Sequence, residues 1–290
     1  KELVMVFAPE HSEAEHQLKT VFSIDTETTD SKFSGINLTE SDILLPVRTM
    51  LGQLGIDLYG TNDEQKLDLI LDKFGESFPK TKEFSLFTRS ISEQVDPCSE
   101  PDQSLLLWMN EEEKLFRILE RHIVSVRLQQ GFGENGDDVD EFISFSLSVQ
   151  NRRKSRVGHA FENHIEEVLQ QNSVLFERGK KTEGKQSPDF LFPSQEKYHT
   201  PDFDPSLLRM LGAKTTCKER WRQVLAEAKR IDLKHLITLE PAISEDQTQQ
   251  MKDMNLQLVV PDSIQQTYTE QQRMGLQSFK EFIEEVKQTQ

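Results

Sequence analysis

Cysteine is scarce: the 290 residues hold only Cys98 and Cys217, too few for a disulfide framework, and the setting this predicts is a reducing cytoplasm. Long apolar runs are missing as well. None approaches the roughly 18–20 residues a membrane helix needs, so no membrane partner is expected. No internal repeat is visible. Positive charge is short overall, with 34 Lys and Arg against 50 Asp and Glu, a net charge of −16. Taken alone, that balance argues against a nucleic-acid partner. The distribution of charge points the other way: residues 1–150 carry 13 basic and 29 acidic side chains, residues 151–240 carry 17 and 13, and residues 241–290 carry 4 and 8. One segment is therefore positive, and local charge is what a polyanion meets.

With 35% apolar and 29% charged residues, the chain reads as globular and long enough to bury a full core. Residues 1–65 hold no visible chemistry and are expected to form an N-terminal accessory region or the truncated end of an effector part. Residues 66–290 are expected to be the catalytic domain. Helices are predicted from Asn62 to Phe74, within Phe78–Ser92, and from Asn110, as N-cap of an acidic first turn, to about Gln130. Glu93–Gln103 reads as a linker or surface loop. The stretch Gly131–Asp138 lacks the spacing of a phosphate loop and the alternation of a calcium loop, and reads as a plain turn. Phe142–Val149 alternates and fits either a strand or a buried helix segment. The basic cluster Asn151–Arg156 then precedes a helix from Val157 to about Gln171. Basic groups oppose the dipole at a helix start, which favours phosphate contacts for Arg152, Arg153, Lys154 and Arg156.

The most informative stretch is Leu211–Arg230. A short apolar strand ends on Lys214, and a helical pattern follows with Glu227 thirteen residues beyond the lysine. Upstream, Ser187-Pro188-Asp189 leads into the strand Phe190–Phe192. An acid at the start of one strand and a lysine at the end of the next are the parts of a metal-dependent nuclease site. Phosphodiester hydrolysis needs an activated water and stabilisation of the phosphate, and a divalent ion supplies much of both. Mg²⁺ takes one or two carboxylates plus water and phosphate oxygens. Asp189 and Glu227, with Glu162 from the preceding helix, are the candidate ligands, and Lys214 is the fixed positive charge. Lys218, Glu219, Arg220 and Arg222 open the following helix and are the candidates for DNA contacts, with Arg220 suited to guanine and Glu219 to cytosine. Residues 174–180, His235–Leu239 and Leu256–Val260 add strands, and Met274–Val286 reads as a closing helix, so an α/β core with a mixed sheet is expected.

The run Gly212–Leu225, with Ser187-Pro188-Asp189 before it and Glu227 after it, resembles the catalytic domain of EcoRII-type restriction endonucleases. So do Gly133–Asp140, Asn151–Arg156 and His235–Pro241, and the resemblance spans roughly residues 70–265. It implies a restriction-endonuclease-like fold, a mixed central β-sheet flanked by helices. It also implies Mg²⁺-dependent cleavage of both strands of double-stranded DNA by a homodimer at a short CCWGG-like site. It further implies that Glu227 stands in space for the acid usually found two residues before the lysine, where this chain has Gly212. Lys218, Glu219 and Arg220 then fall on the segment that reads the inner C:G pairs.

Two rivals remain open on the sequence. A metal-independent tyrosyl DNA strand transferase would use Tyr198, which neighbours His199. A catalytically degenerate DNA-binding module would lack a working site, against which the complete Asp189, Lys214 and Glu227 set counts.

Overall fold

A computed structural model describes residues 63–184, 186–217 and 220–290. The accessory region expected at residues 1–65 lies almost wholly outside the described residues, as do Lys218 and Glu219.

Four helices come first: α1 (Asp63–Phe74), α2 (Thr81–Ile91), α3 (Pro101–Gln130) and α4 (Val139–Gln171). α3 starts at Pro101, not at the expected Asn110. Proline is preset for a first helical position, where its missing N–H costs nothing. Leu105, Trp108 and Met109 are buried, so packing extends the helix through the place where a cap was expected. α4 is likewise a single helix of 33 residues, capped by Asp138, whose carboxylate accepts the Glu141 N–H at 2.8 Å. Phe142–Val149 is therefore helical, and the Arg152–Arg156 cluster lies in mid-helix, away from any helix-start dipole. The turn between α3 and α4 needs its glycine at 133, where φ is +73° and a Cβ would lie 2.7 Å from the Asp138 Cβ.

The remaining elements are β1 (Glu177–Arg178), β2 (Phe190–Phe192), α5 (Gln195–His199), β3 (Arg209–Lys214), α6 (Trp221–Leu225), β4 (Lys234–Thr238), α7 (Glu245–Asp253), β5 (Leu256–Val259), α8 (Asp262–Gln265), α9 (Glu270–Arg273) and α10 (Phe279–Gln288). The strands form one mixed sheet in the order β1-β2-β3-β4-β5; β1, β2 and β3 run antiparallel in turn, whereas β3, β4 and β5 are parallel. This is the α/β architecture expected. The closing helix begins at Phe279, later than Met274, which is 80% exposed. Ser278 and Glu281 cap it reciprocally, and the buried Asp102 of α3 accepts the N–H groups of Phe279 and Lys280 at 2.8 and 2.9 Å.

The main core surrounds the sheet, and every residue of β2 and β4 is buried. A smaller cluster of Ile70, Phe84, Leu115, Phe116, Ile118 and Leu119 joins α1, α2 and α3. The register matters most for function. Phe190 pairs with Leu211 and Lys214 with Thr238, so β2 begins beside the point where β3 ends. A residue just before β2 and one at the end of β3 must therefore meet at the same sheet edge.

Candidate active site

Asp189 and Lys214 do meet there. One Asp189 carboxylate oxygen accepts from Lys214 Nζ and from the Ala213 backbone N–H, each at 2.7 Å. Both side chains are about one-fifth exposed, so the pair is screened from bulk water yet open to a ligand. Glu227 approaches from the turn after α6. That helix is shorter than the sequence pattern suggested, ending at Leu225. Burial, reinforced by the charge of Asp189, pushes the Glu227 carboxyl up to about 7, against the opposing pull of Lys214 and Lys234. Its Oε2 is buried and has no hydrogen-bond partner among the described residues.

The absence of an acid at position 212 has a local cause. A Cβ on Gly212 would lie 3.0 and 3.2 Å from the two γ-methyls of Val224 and 3.5 Å from Leu236. Alternation along β3 puts residues 212 and 214 on one face of the strand, and α6 packs its Val224 on that face. Helix packing thus occupies the space a strand carboxylate would need, and the turn that follows the same helix carries Glu227.

Sequence reasoning missed the residues that fix Glu227. Thr182 Oγ1 accepts the Ala228 N–H at 3.4 Å, and Glu183 accepts the Lys229 N–H at 3.3 Å. Tyr198 accepts the Arg230 N–H at 3.2 Å, and Arg230 donates to the carbonyls of Tyr198, Thr200 and Phe203. Ala228 holds φ at +50°, a left-handed conformation costly for a residue with a Cβ, which these bonds maintain. The available signal was polar: Thr182 and Glu183 interrupt a lysine-rich stretch. Tyr198 is itself buried, its hydroxyl donates to Glu183, and burial pushes that hydroxyl up to about 12. It serves as a strut beneath the Glu227 turn, which speaks against its use as a nucleophile.

Glu162 does not join the acidic pair. Arg178 of β1 takes it at 2.7 Å and takes Glu166 and Asn163 at 2.9 and 2.8 Å. Among the described residues, no group of three or more His, Cys, Asp or Glu side chains is arranged to hold a metal ion. Glu162, expected from the sequence as a third ligand, stands here as an ion-pair partner of Arg178 at the sheet edge.

The basic cluster of α4 divides. Arg156 is 5% exposed, paired with Glu112 at 3.1 Å and with Glu113, and lies 4.1 Å over the Phe116 ring. Burial pushes Glu113 up, but the charges of Arg156 and Arg117 outweigh it and hold the carboxyl below its usual value. Arg153 donates to Glu120 at 3.1 Å. Both arginines pair with the acids of α3, contacts that the sequence order did not disclose. Arg152 and Lys154 stay exposed, with Arg152 over the Phe78 ring. Arg220 is exposed, and Arg222, also exposed, stacks on Trp221 and reaches Gln250 at 3.2 Å.

The family model described as "EcoRII C terminal" matches residues 116–283 of the chain. The type II restriction enzyme EcoRII of Escherichia coli is 36% identical over 243 residues, which is 83% of this chain and 58% of that enzyme. The chain thus spans somewhat over half the length of that relative. Among solved structures, metal-depleted Ecl18kI in complex with uncleaved DNA aligns with a TM-score of 0.61 at 19% identity, covering 79% of this chain and 85% of that one. A complex of the restriction endonuclease PspGI with substrate DNA aligns with a TM-score of 0.56 at 15% identity, covering 73% and 93%.

Proposed function

The chain belongs to the EcoRII C-terminal family, and on that premise we propose that it is a type II restriction endonuclease that hydrolyses both strands of double-stranded DNA at a CCWGG-like site, with Mg²⁺, as a homodimer. The observation that carries the reading is the convergence of Lys214 and the unpartnered Glu227 carboxylate on Asp189 at the ends of β2 and β3. Two fold relatives are complexes with DNA, which supports the same substrate class.

The donor set fits a divalent ion. A buried carboxylate oxygen without a partner, pushed towards protonation by burial and then by a second carboxylate, would be relieved by a cation held by Asp189 and Glu227. Two carboxylates suit Mg²⁺, which keeps water and phosphate oxygens in its remaining positions. When bound, the ion would supply Lewis acidity and a more acidic water. The protein's own groups do the rest. Asp189 is held in a fixed orientation by the Ala213 N–H, and it orients the Lys214 ammonium, which offsets negative charge growing on the phosphate. The turn at Ala228 keeps Glu227 facing that pair. Arg152, Arg220 and Arg222, together with Lys218 and Glu219, are the groups we assign to DNA, Arg220 to a guanine edge and Glu219 to a cytosine amino group.

Cleavage of plasmids carrying CCWGG and CCNGG sites, with Mg²⁺ and then with EDTA, tests the reading directly. Discrete fragments with Mg²⁺ alone, their ends mapping to the site, are expected. A site-specific gel shift without cutting would point to a degenerate module, and protein-linked DNA in EDTA to tyrosyl transfer.

A further inference from the structure

The first half of α4 carries an apolar stripe that nothing described in the chain covers. Val139, Ile143 and Leu147 are 65%, 48% and 53% exposed, whereas Phe161, Ile165 and Val168 further along the helix are fully buried. At 100° per residue, all six fall within one arc of about 80°. The face that this chain's own core covers in the second half of α4 is bare in the first half. An exposed apolar stripe on the arc of the helix that is buried further along marks a contact surface.

The charges around the stripe identify what fits it. Asp140 and Lys154 project on the same side of the helix as the stripe, and both are exposed without an ion pair among the described residues. They stand seven residues to either side of Leu147, about 10 Å each way along the axis. A two-fold axis through Leu147 therefore lays one α4 antiparallel on another, Leu147 against Leu147. It also sets Asp140 of each copy opposite Lys154 of the other. Such self-complementarity is the defining property of an isologous contact. DNA is the poorer match, because the exposed Asp137, Asp138 and Asp140 at this end would repel phosphates.

We propose that the N-terminal half of α4 is a two-fold interface with a second copy of this chain, closed by Ile143 and Leu147 and registered by two Asp140–Lys154 ion pairs. Lys154, expected from the sequence to grip a phosphate, is assigned to the partner's acid instead. The inference rests on the dimer of the preceding reading and adds the face that forms it.

Sedimentation velocity of the full chain over a concentration series tests it, with circular dichroism as the check on folding. The wild type should dimerise, and Leu147→Asp should raise the dissociation constant at least a hundredfold. Asp140→Lys and Lys154→Asp should each raise it about tenfold. Mixing the two charge variants should restore association, because the heterodimer recovers both ion pairs. Three outcomes overturn the proposal: a monomeric wild type, a dimer indifferent to Leu147→Asp, and charge variants that weaken association but fail to rescue each other. Plasmid cleavage is scored separately, so a chain that pairs through α4 yet does not cut would refute only the nuclease reading.

Discussion

Replacing Glu227 by glutamine should separate function from stability at one atom. In the free protein the carboxyl titrates near 7, above its ordinary 4.5, because it is largely buried and faces Asp189. A carboxyl pushed up on folding binds its proton more tightly in the native state. It therefore favours the fold fully below the unfolded value, near pH 4.5, and that contribution is lost as pH rises through about 7. At about 1.4 kcal/mol per tenfold change, the full difference would be ~3 kcal/mol. The group retains some access to water, so screening reduces the net effect to about 1–2 kcal/mol. Glu227→Gln is neutral at every pH. It should be about 1–2 kcal/mol more stable than wild type in urea at pH 8 and equal to it at pH 5, where wild type is already protonated. Mg²⁺ should reverse the ranking. At a hundredfold excess over its dissociation constant it would add about 2.7 kcal/mol to wild type at pH 8 and far less to the variant. Cleavage by the variant should fall at least a hundredfold. A variant no more stable at pH 8 than at pH 5, relative to wild type, would show that Glu227 is not held as a strained carboxylate beside Asp189.

Asp189→Ala and Lys214→Ala should each remove cleavage by about a thousandfold or more while Ca²⁺-supported, site-specific binding survives in gel shifts. Arg220→Ala should cost about 1–3 kcal/mol of discrimination at a guanine, read from cleavage of substrates changed at one base pair. Arg156→Ala should destabilise the fold by about 3–5 kcal/mol in urea, because it removes the arginine paired with the buried Glu112 and leaves the buried Glu113 with Arg117 alone. Arg152→Ala should leave stability nearly unchanged and weaken binding to all DNA sequences alike, with a shallower salt dependence.

The meeting of Asp189 and Lys214 was legible in the sequence because it depends on local order alone. An acid before one strand and a lysine ending its neighbour must meet if the strands pair antiparallel, and Phe190 opposite Leu211 meets that condition. The mixed sheet was legible for the same reason, since short apolar runs between helical patterns leave few other arrangements. The acids and bases of the long helices were not. Glu112 and Glu113 looked like a favourable first turn, and Arg153 and Arg156 like a patch awaiting phosphate. Each reading was sound for a helix taken alone. In the hairpin of α3 and α4 the two runs lie side by side and neutralise one another. Sequence position does not disclose that pairing, because it joins residues more than thirty positions apart. The same limit applied to Glu162, whose cation lies across a loop on β1.

Gly212 shows how the site and the packing are tied together, and the tie can be tested. A methyl at this position would press on Val224 at 3.0 Å, and a well-packed core resists such crowding. Gly212→Ala should therefore destabilise the chain by about 1–3 kcal/mol and displace α6, and with it the turn that holds Glu227. Activity should fall with stability. Val224→Ala alone should also destabilise, by opening a cavity, yet in the double variant the new methyl occupies part of that space. The double variant should then be more stable than the two single losses predict, a coupling readable in a double-mutant cycle. Gly212→Asp in a Glu227→Gln background should not regain cleavage, because Val224 stands where the new side chain must begin. Strict additivity in the cycle, or recovery of cleavage by the moved carboxylate, would show that α6 does not dictate where the second acid sits.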